Sequence, residues 1–523
     1  MLMKRKYGLR WVTGIALASV IALSGCAGNN VDSQPKGQAK AENKGENKGE
    51  AKNETAEPQA KETLVTVWGG NDFLKGDASP GQRMIKEFNE KNKGRIRVEA
   101  RFMPWAEYNT AVQAAATSNE LPDILMTPQN TDIRGMVANG LAQPLDGLVT
   151  DAWKKQFIEG SFAEGVNVID GKTYSWPLTG PVLGSILYYN KDVLQNAGLD
   201  PEKPPTTWKE LREAAKKVTD QGKGDVFGFV FGGGDNGDAA GITKIVHSLS
   251  AGISPQVVDG FNYNTGKYEY SSKAVLDAFD FVTQLKADGS ILPSSYTIKA
   301  AEASVLFGQG KAAFLIDGRA RMWIAKRDTP DVKLGLAPVP TPTGSQPTHH
   351  YVQAQPNGYI ISAGSKNPEA AAEFIEKAFA SPWFYEKYLN SGVALTPIQS
   401  INENQALYPY PEFESFLKLH KEVLRLRPDY AIQNPQTSKV VLELGTLGQP
   451  KVKPGFNEIL QSVLTGAEKD APALLKAYDE KLNKGLDDAL KKVTAEGVQV
   501  SRKDFTFPHW DATKDFTAAD YKR

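Results

Sequence analysis

Apolar and polar residues alternate in Leu64-Val-Thr-Val-Trp68, the pattern of a half-buried strand, and the polar turn Gly69-Gly70-Asn71-Asp72 follows directly. A helical stretch from about Pro80 to Asn92, a strand over Arg95 to Phe102, a helix around Trp105 to Ala116 and a short buried strand over Pro122 to Thr127 come next. Strands alternating with helices predict a parallel sheet covered on both faces. Ligands of such sheets sit beyond the carboxyl ends of the strands, so Trp68 to Asp72 and Thr127 to Thr131 become neighbours at one crevice. A second α/β unit follows, with strands at Ile186 to Tyr189, Phe227 to Phe231 and Ala312 to Ile316 and helices at Trp208 to Thr219 and Lys273 to Asp288. Leu334 to Pro340 and Gly358 to Ser362 read as strands, Pro368 to Asn390 as helices, and Gly455 to Thr494 as two amphipathic helices. The tail from Ser501 to Arg523 is aromatic but irregular, and its pattern predicts neither an element nor a role.

Ahead of the first strand the pattern is different. Lys4, Arg5, Lys6 and Arg10 precede an apolar run from Trp11 to Ala22, and Leu23-Ser24-Gly25-Cys26 follows, the order of parts in a secretion signal. The run is too short to span a membrane, which takes about 20 apolar residues. The chain's one cysteine, placed after Leu-Ser-Gly, resembles the bacterial lipobox, which implies cleavage before Cys26 and a diacylglyceryl anchor on its thiol. Residues 1–25 are then the leader, and two acyl chains suffice for stable attachment. From Cys26 to Lys61 the residues are mostly Gly, Asn, Lys, Glu, Gln and Ala, including the near-repeat Glu42 to Glu50, too polar to bury a core. Such a stretch predicts a flexible tether reaching roughly 30–35 Å.

Composition narrows the function. Sixty-one Lys plus Arg balance 61 Asp plus Glu over 523 residues, which argues against a nucleic-acid binder. Hydrophobic residues make up 41%, enough for packed cores in two or three domains. One cysteine supplies neither an intramolecular disulfide nor a thiolate cluster. His247, His349, His350, His420 and His509 lack the company of a metal site, and His349-His350, in a Pro- and Thr-rich stretch, predicts a surface loop. No cofactor or metal is expected.

Several segments, in order, resemble the extracellular solute-binding proteins of carbohydrate ABC transporters, the class of the maltose-binding proteins. They are Leu121-Pro-Asp-Ile124, Gly171-Lys-Thr-Tyr-Ser-Trp-Pro177, Ile186-Leu-Tyr-Tyr-Asn-Lys-Asp192 and Pro204-Pro-Thr-Thr-Trp-Lys-Glu-Leu211, then Phe307-Gly-Gln-Gly-Lys-Ala-Ala313 leading to Asp317-Gly318, and Asn367 to Phe374. The resemblance implies a two-lobed, type II periplasmic-binding-protein-like α/β fold whose hinge the chain crosses near Val182 to Ser185, Leu334 to Pro338 and Gly392 to Leu395. It implies lobes of 62–184 plus 339–391 and 185–338 plus 392–500, with 501–523 as a tail. It also implies a monomer that binds a sugar or oligosaccharide by hinge closure and is recognised, when closed, by permease subunits at the membrane.

Sugars present hydroxyls at their edges and C–H groups on their faces, so the site needs aromatic rings with amide, carboxylate or guanidinium groups around them. Carried over segment by segment, the resemblance implies Trp68, Asn71, Asp72, Trp105, Thr127, Gln129 and Asn130 from one lobe. From the other it implies Asp235, Asn236, Asp317, Arg319 and Trp323, with Trp176, Tyr174 and Asn357 near the crossing. Core packing is an alternative for Trp176, and an internal ion pair for Asp317 and Arg319. Trp208 reads as structural, behind a threonine helix cap with Glu210. Thr127 departs from the aromatic residue that maltose-binding relatives carry there. The rival reading is a membrane-anchored glycoside hydrolase using carboxylates such as Asp72, Asp235 or Asp317. No Gly-x-Ser-x-Gly, His-Glu-x-x-His or Walker motif accompanies them, and Ala312 replaces the hydroxyl a phosphate loop needs after Lys311.

Overall fold

In the computed structural model, which describes residues 61–129, 131–235, 240–447 and 452–522, the alternation around Leu64 becomes strand β1 (Thr63–Gly69). Val65 and Val67 turn into the core while Thr66 and Trp68 stay half-buried. Strand β1 pairs in parallel with β2 (Ile96–Phe102) and β3 (Ile124–Met126), Val65 opposite Val98 and Val67 opposite Ile124. The sheet is completed from far down the chain: β15 (Tyr359–Ser362) runs antiparallel between β3 and the short β4 (Ala142–Gln143), in the order β2–β1–β3–β15–β4. A ribbon of β5 (Val168–Ile169) and β6 (Lys172–Thr173) lies outside it. The expected leader, Cys26 and the tether as far as Ala60 are outside the described residues, as are Asn130 and Asn236.

The second sheet holds β7 (Ile186–Asn190), β8 (Phe227–Phe229), β12 (Ala312–Asp317) and β13 (Leu334–Ala337), in the order β13–β7–β12–β8. Strands β7 and β12 are buried along their whole length, as strands covered on both faces must be. The sequence pattern predicts a parallel sheet with helices on both faces, and the antiparallel strands share one cause. Strands β7 and β15 are each the first of their sheet after the chain arrives from the other sheet, so they run against the strands that helical crossovers build. Asp317 at the end of β12 therefore lies opposite Ile186 at the start of β7, and Met126 opposite Tyr359. The second expected crossing is displaced: Leu334 to Ala337 belong to the sheet as β13, and the passage comes after them.

Two further small sheets join these. Strands β9 (Val257–Val258), β10 (Phe261–Asn262) and β11 (Lys267–Tyr268) form an antiparallel three-stranded unit, and β14 (His349–Tyr351) pairs in parallel with β16 (Leu424–Leu426). The helix Trp208–Gly222 starts at a capping box, with the Glu210 N–H donating to Thr207 Oγ1 at 3.1 Å and the Thr207 N–H donating to Glu210 Oε2 at 3.0 Å. Trp208 is structural: its indole N–H donates to the Pro340 carbonyl at 2.9 Å. The helices expected over Pro368 to Asn390 are Pro368–Phe374 and Pro382–Asn390 with a π-turn between them, divided where Pro382 cannot continue a helix and Ser381 caps the new start. The two expected C-terminal helices are Phe456–Thr465 and Ala471–Ala495. The tail, for which the pattern predicts nothing, is packed. The Phe507 N–H donates to the Tyr263 carbonyl at 2.7 Å and the Phe516 N–H to the Leu426 carbonyl at 3.0 Å, tying the β9–β11 unit to the β14–β16 pair.

The structure corrects the reading of His349-His350 as a surface loop: both lie in β14, and His349 is 8% exposed. His420 is also buried and sits at the first passage, its Nδ1 donating to the Phe416 carbonyl at 2.8 Å and its Nε2 accepting the Leu183 N–H at 3.2 Å. Burial lowers both imidazoles to about 4; the nearby charge of His350 adds to this for His349, while the Phe416 hydrogen bond opposes it for His420. Unfolding restores an ordinary histidine near 6.5, so the unfolded chain binds more protons below that value and stability falls as the pH drops from about 6.5 towards 4. Urea unfolding should show a loss of ~2 kcal/mol for each of these two histidines between pH 7.5 and pH 5. His420→Gln should remove its share of that slope, and an equal slope in wild type and variant would count against the burial argument.

Candidate functional site

At the carboxyl end of the first sheet, Trp68 closes β1 with the Arg101 guanidinium 5.5 Å from its ring centre. Trp105 starts the helix Trp105–Ser118, stands edge-on to Tyr108 at 5.7 Å and covers Gly70, where a Cβ would meet its ring at 2.7 Å. Asn71 Oδ1 accepts the Tyr359 hydroxyl at 3.1 Å. Trp68, Asn71 and Trp105 are thus gathered at one sheet end and all three are half-buried, as the strand-end rule predicts. Asp72 opens a short 3-10 turn at the same end, its side chain lying outside what the structure describes.

Other expected residues have internal duties. Thr127 is 2% exposed; its hydroxyl donates to Asn357 Oδ1 at 3.4 Å and accepts the Gly358 N–H at 3.2 Å, so it fastens two loops together. Trp176 is corrected to the core alternative: it is 1% exposed, with rings of Trp153, Tyr359 and Phe379 within 6.5 Å, and neither face is open to a solute. Tyr174 is half-buried beside the same sheet. Asp317, 1% exposed, is paired with Lys244 at 2.8 Å and Arg321 at 3.4 Å, so the internal ion pair exists but with partners other than Arg319. Arg319 instead donates to the Val393 carbonyl at 2.7 Å. Trp323 lies under the Arg327 guanidinium at 5.0 Å, and Asp235 accepts the Ala300 N–H at 2.8 Å at the start of the helix Ala300–Gly308. The carboxylates of Asp235 and Asp317 are therefore both occupied by internal partners. Among the described residues no group of three or more His, Cys, Asp or Glu side chains could hold a metal ion.

Two expected residues, Gln129 and Asn357, enter a cavity of about 1310 Å³ from the first sheet. Both side chains are exposed. Facing them are Tyr263, Tyr268 and Tyr270 from the β9–β11 unit and Phe456 and Tyr478 from the two C-terminal helices, while the helix Thr437–Leu447 contributes Val441 and Leu444. Aromatic faces with amides and carboxylates among them form a surface suited to a neutral, hydroxyl-rich solute. Among the described residues the two cations at the wall are already engaged: Arg427 donates to the Tyr263 hydroxyl and lies over its ring, and Lys453 is paired with Glu458.

The turn Asp259-Gly260 brings one carboxylate into this space. Both residues have positive φ, 49° and 79°, the geometry of a type I′ hairpin turn, and the Tyr270 hydroxyl donates to the Asp259 carbonyl at 2.8 Å. Gly260 is required twice over, because a Cβ there would lie 2.2 Å from the Tyr270 ring. The Asp259 side chain stays 79% exposed although protein surrounds it, as expected of a carboxylate facing into a cavity. Burial would raise its pKa, but the hydrogen bond and charge of His247 at 3.4 Å, with Arg427 and His350 beyond, hold it below the ordinary carboxylate value. Sequence reasoning missed this hairpin although an Asp-Gly pair between Val257-Val258 and Phe261-Asn262 is the strongest short hairpin signal.

A family model described as bacterial extracellular solute-binding protein matches residues 75–383. A protein named as a binding protein in Brucella abortus (strain 2308) is 26% identical over 427 residues, covering 81% of this chain and 90% of the relative. The sn-glycerol-3-phosphate-binding periplasmic protein UgpB of Rhizobium meliloti (strain 1021) is 24% identical over 412 residues, 76% of this chain and 88% of the relative. Among solved structures, the ABC substrate-binding protein Lmo0181 of Listeria monocytogenes in complex with cycloalternan aligns with a TM-score of 0.59 at 18% identity, over 82% of this chain and 100% of that one. Maltose-bound MalE3 of T. maritima aligns at 0.58 with 20% identity, over 81% and 99%. These likenesses show the fold, two α/β lobes joined by several chain crossings. Gly260→Ala should destabilise the protein by ~1–3 kcal/mol and shift the Tyr270 ring, read by chemical denaturation and by near-ultraviolet circular dichroism. Wild-type stability in that variant would show that the turn does not rest on the ring.

Proposed function

We propose, for a chain that belongs to the family of bacterial extracellular solute-binding proteins, that it captures a sugar or oligosaccharide between two closing lobes and delivers it to the permease of an ABC transporter. The observation that carries this reading is the aromatic cavity of about 1310 Å³ with Gln129 and Asn357 on one wall and the β9–β11 tyrosines on the other. Maltose and cycloalternan occupy two structural neighbours. A solute that touches both walls favours the closed arrangement by its differential affinity, whereas one held on a single wall shifts nothing. We assign the lobes to 62–184 plus 339–391 and 185–338 plus 392–500, and the recognition of the closed form to permease subunits. Trp68, Asn71, Trp105, Gln129 and Asn357 serve as the contacts of the first lobe in this reading, with Arg319 and Trp323 available on the second.

The names of several relatives favour a second solute, sn-glycerol 3-phosphate. Cavity size and charge weigh against it. Small-molecule pockets typically measure roughly 300–1,000 Å³, and here, among the described residues, the two cations at the wall have partners of their own while Asp259 faces inward. Family membership puts the protein outside the cytoplasm, and we assign Cys26 as a lipid anchor with residues 26–61 as its tether.

Calorimetric titration of the purified protein against a panel of sugars should give saturable binding without turnover. Gln129→Ala, at an exposed side chain of the same wall, should weaken it by ~1–3 kcal/mol while leaving the unfolding midpoint unchanged. Cleavage of a glycosidic bond by the pure protein would favour the hydrolase reading instead. In cells, Cys26→Ala should move the protein from the membrane to the soluble fraction, and unchanged retention would remove the lipid assignment.

A further inference from the structure

The tyrosines of the β9–β11 unit are held with unusual care for a surface hairpin. On the long helix Ala471–Ala495, Asp479 and Asn483 stand one turn apart and grip the backbone that carries them. Asp479 Oδ1 accepts the Tyr270 N–H at 2.7 Å, and its Oδ2 accepts the Ser271 N–H at 2.8 Å and the Ser271 hydroxyl at 2.6 Å. Asn483 closes a two-way bridge with Tyr268, accepting its N–H at 3.0 Å and donating to its carbonyl at 2.9 Å. Asp479 is 7% exposed, and a carboxylate is expensive to bury unless such donors surround it. The result is a pair of parallel rings, Tyr268 and Tyr270, with centres 6.4 Å apart and planes within 9°. Tyr268 is half-buried and Tyr270 8% exposed, so Tyr268 offers the contact face and Tyr270 backs it.

Beside these rings, and bonded to one of them through its carbonyl, Asp259 points an open carboxylate into the cavity. Among the described residues its side chain has one recorded polar partner, His247 Nδ1 at 3.4 Å, which leaves acceptor capacity unused. A carboxylate can accept from two neighbouring hydroxyls of one sugar ring. Gln129 and Asn357 lie on the other wall of the same cavity, whose volume exceeds what a single sugar ring fills.

We propose that Asp259 and the Tyr268–Tyr270 pair form a far subsite for the end of an extended oligosaccharide, Asp259 accepting from two adjacent hydroxyls of a sugar whose C–H face lies on Tyr268. Asp479 and Asn483 are positioning residues for this subsite. The inference rests on the sugar-binding reading above and adds to it a requirement for length: a short sugar spans the contacts near Gln129 and Asn357, and only a longer one reaches the hairpin.

The test titrates the purified protein with neutral malto-, manno- and xylo-oligosaccharides of two to six units and with sn-glycerol 3-phosphate. Affinity should rise with length in at least one series. Asp259→Asn, which keeps the tolerance for positive φ, should cost about tenfold for the long members and spare the disaccharide. Asn483→Ala should lower the ratio of long to short affinity in the same direction, a ratio that a general loss of stability would not move. Unchanged affinity of Asp259→Asn for the long members, or an equal loss for the disaccharide, overturns the subsite while leaving sugar binding intact. Binding of sn-glycerol 3-phosphate with no member of the panel bound overturns the sugar reading itself.

Discussion

The architecture depends on backbone hydrogen bonds that two strands make far from their sequence neighbours. Buried strand edges must find partners, since an unpaired N–H or C=O away from water is costly. The edge of β3 finds its partner in β15, more than 200 residues later, with the Thr127 N–H bonded to the Gly358 carbonyl just beyond the ladder. Strand β7 is likewise fitted between β12 and β13, which follow it by more than 100 residues. The first sheet cannot be finished until the chain has built the second and come back, so the return passage is a consequence of sheet completion.

The cavity shows where polar groups have been placed under constraint. Asp479 is buried with three donors, Gly260 sits against an aromatic ring, and Asp259 holds a positive φ that few residues adopt. Such features carry a local free-energy cost and persist where the surrounding structure over-determines them. They converge on the segment from Val257 to Ser271, which makes that segment the best-defined wall of the cavity. The C-terminal tail reinforces it: Trp510 packs on Tyr263 at 5.5 Å and on His350 at 4.7 Å, so one side of the cavity is tied to the β14–β16 pair. A tail without periodicity in its sequence is thus a fastening, held by aromatic contacts that no local pattern announces.

Buried polar residues near the passages follow the same logic. Burial keeps His420 neutral, and with one ring nitrogen donating to Phe416 and the other accepting from Leu183 it joins the helix Glu412–Val423 to the segment entering β7. Asp317 ends a fully buried strand and is matched by Lys244 and Arg321. Removing one partner of either arrangement would strand a buried polar group, which is why such residues act as fixed points around which the more exposed loops are arranged.

Much of this was legible in the chain alone. The alternation in Leu64 to Trp68, the Thr207–Glu210 cap, the helical spacing after Gly455 and the ordered family-like segments sufficed for the elements, the α/β class and the kinship, because each depends on residues within a few positions of one another. The strand-end rule drew attention to Gln129, and the resemblance to Asn357, both of which line the cavity. The direction of β7 and β15, the burial of Trp176, the partners of Asp317 and the seating of His349 and His350 were decided only in three dimensions. Each is set by groups tens to hundreds of residues away, as with Lys244 and Asp317, and local patterning carries no record of which distant surface a side chain will meet. Even Asp259-Gly260, plain as a turn signal, acquired its meaning from Tyr270 and the helix behind it, because the sequence determines that the chain turns there while packing determines what the turn faces.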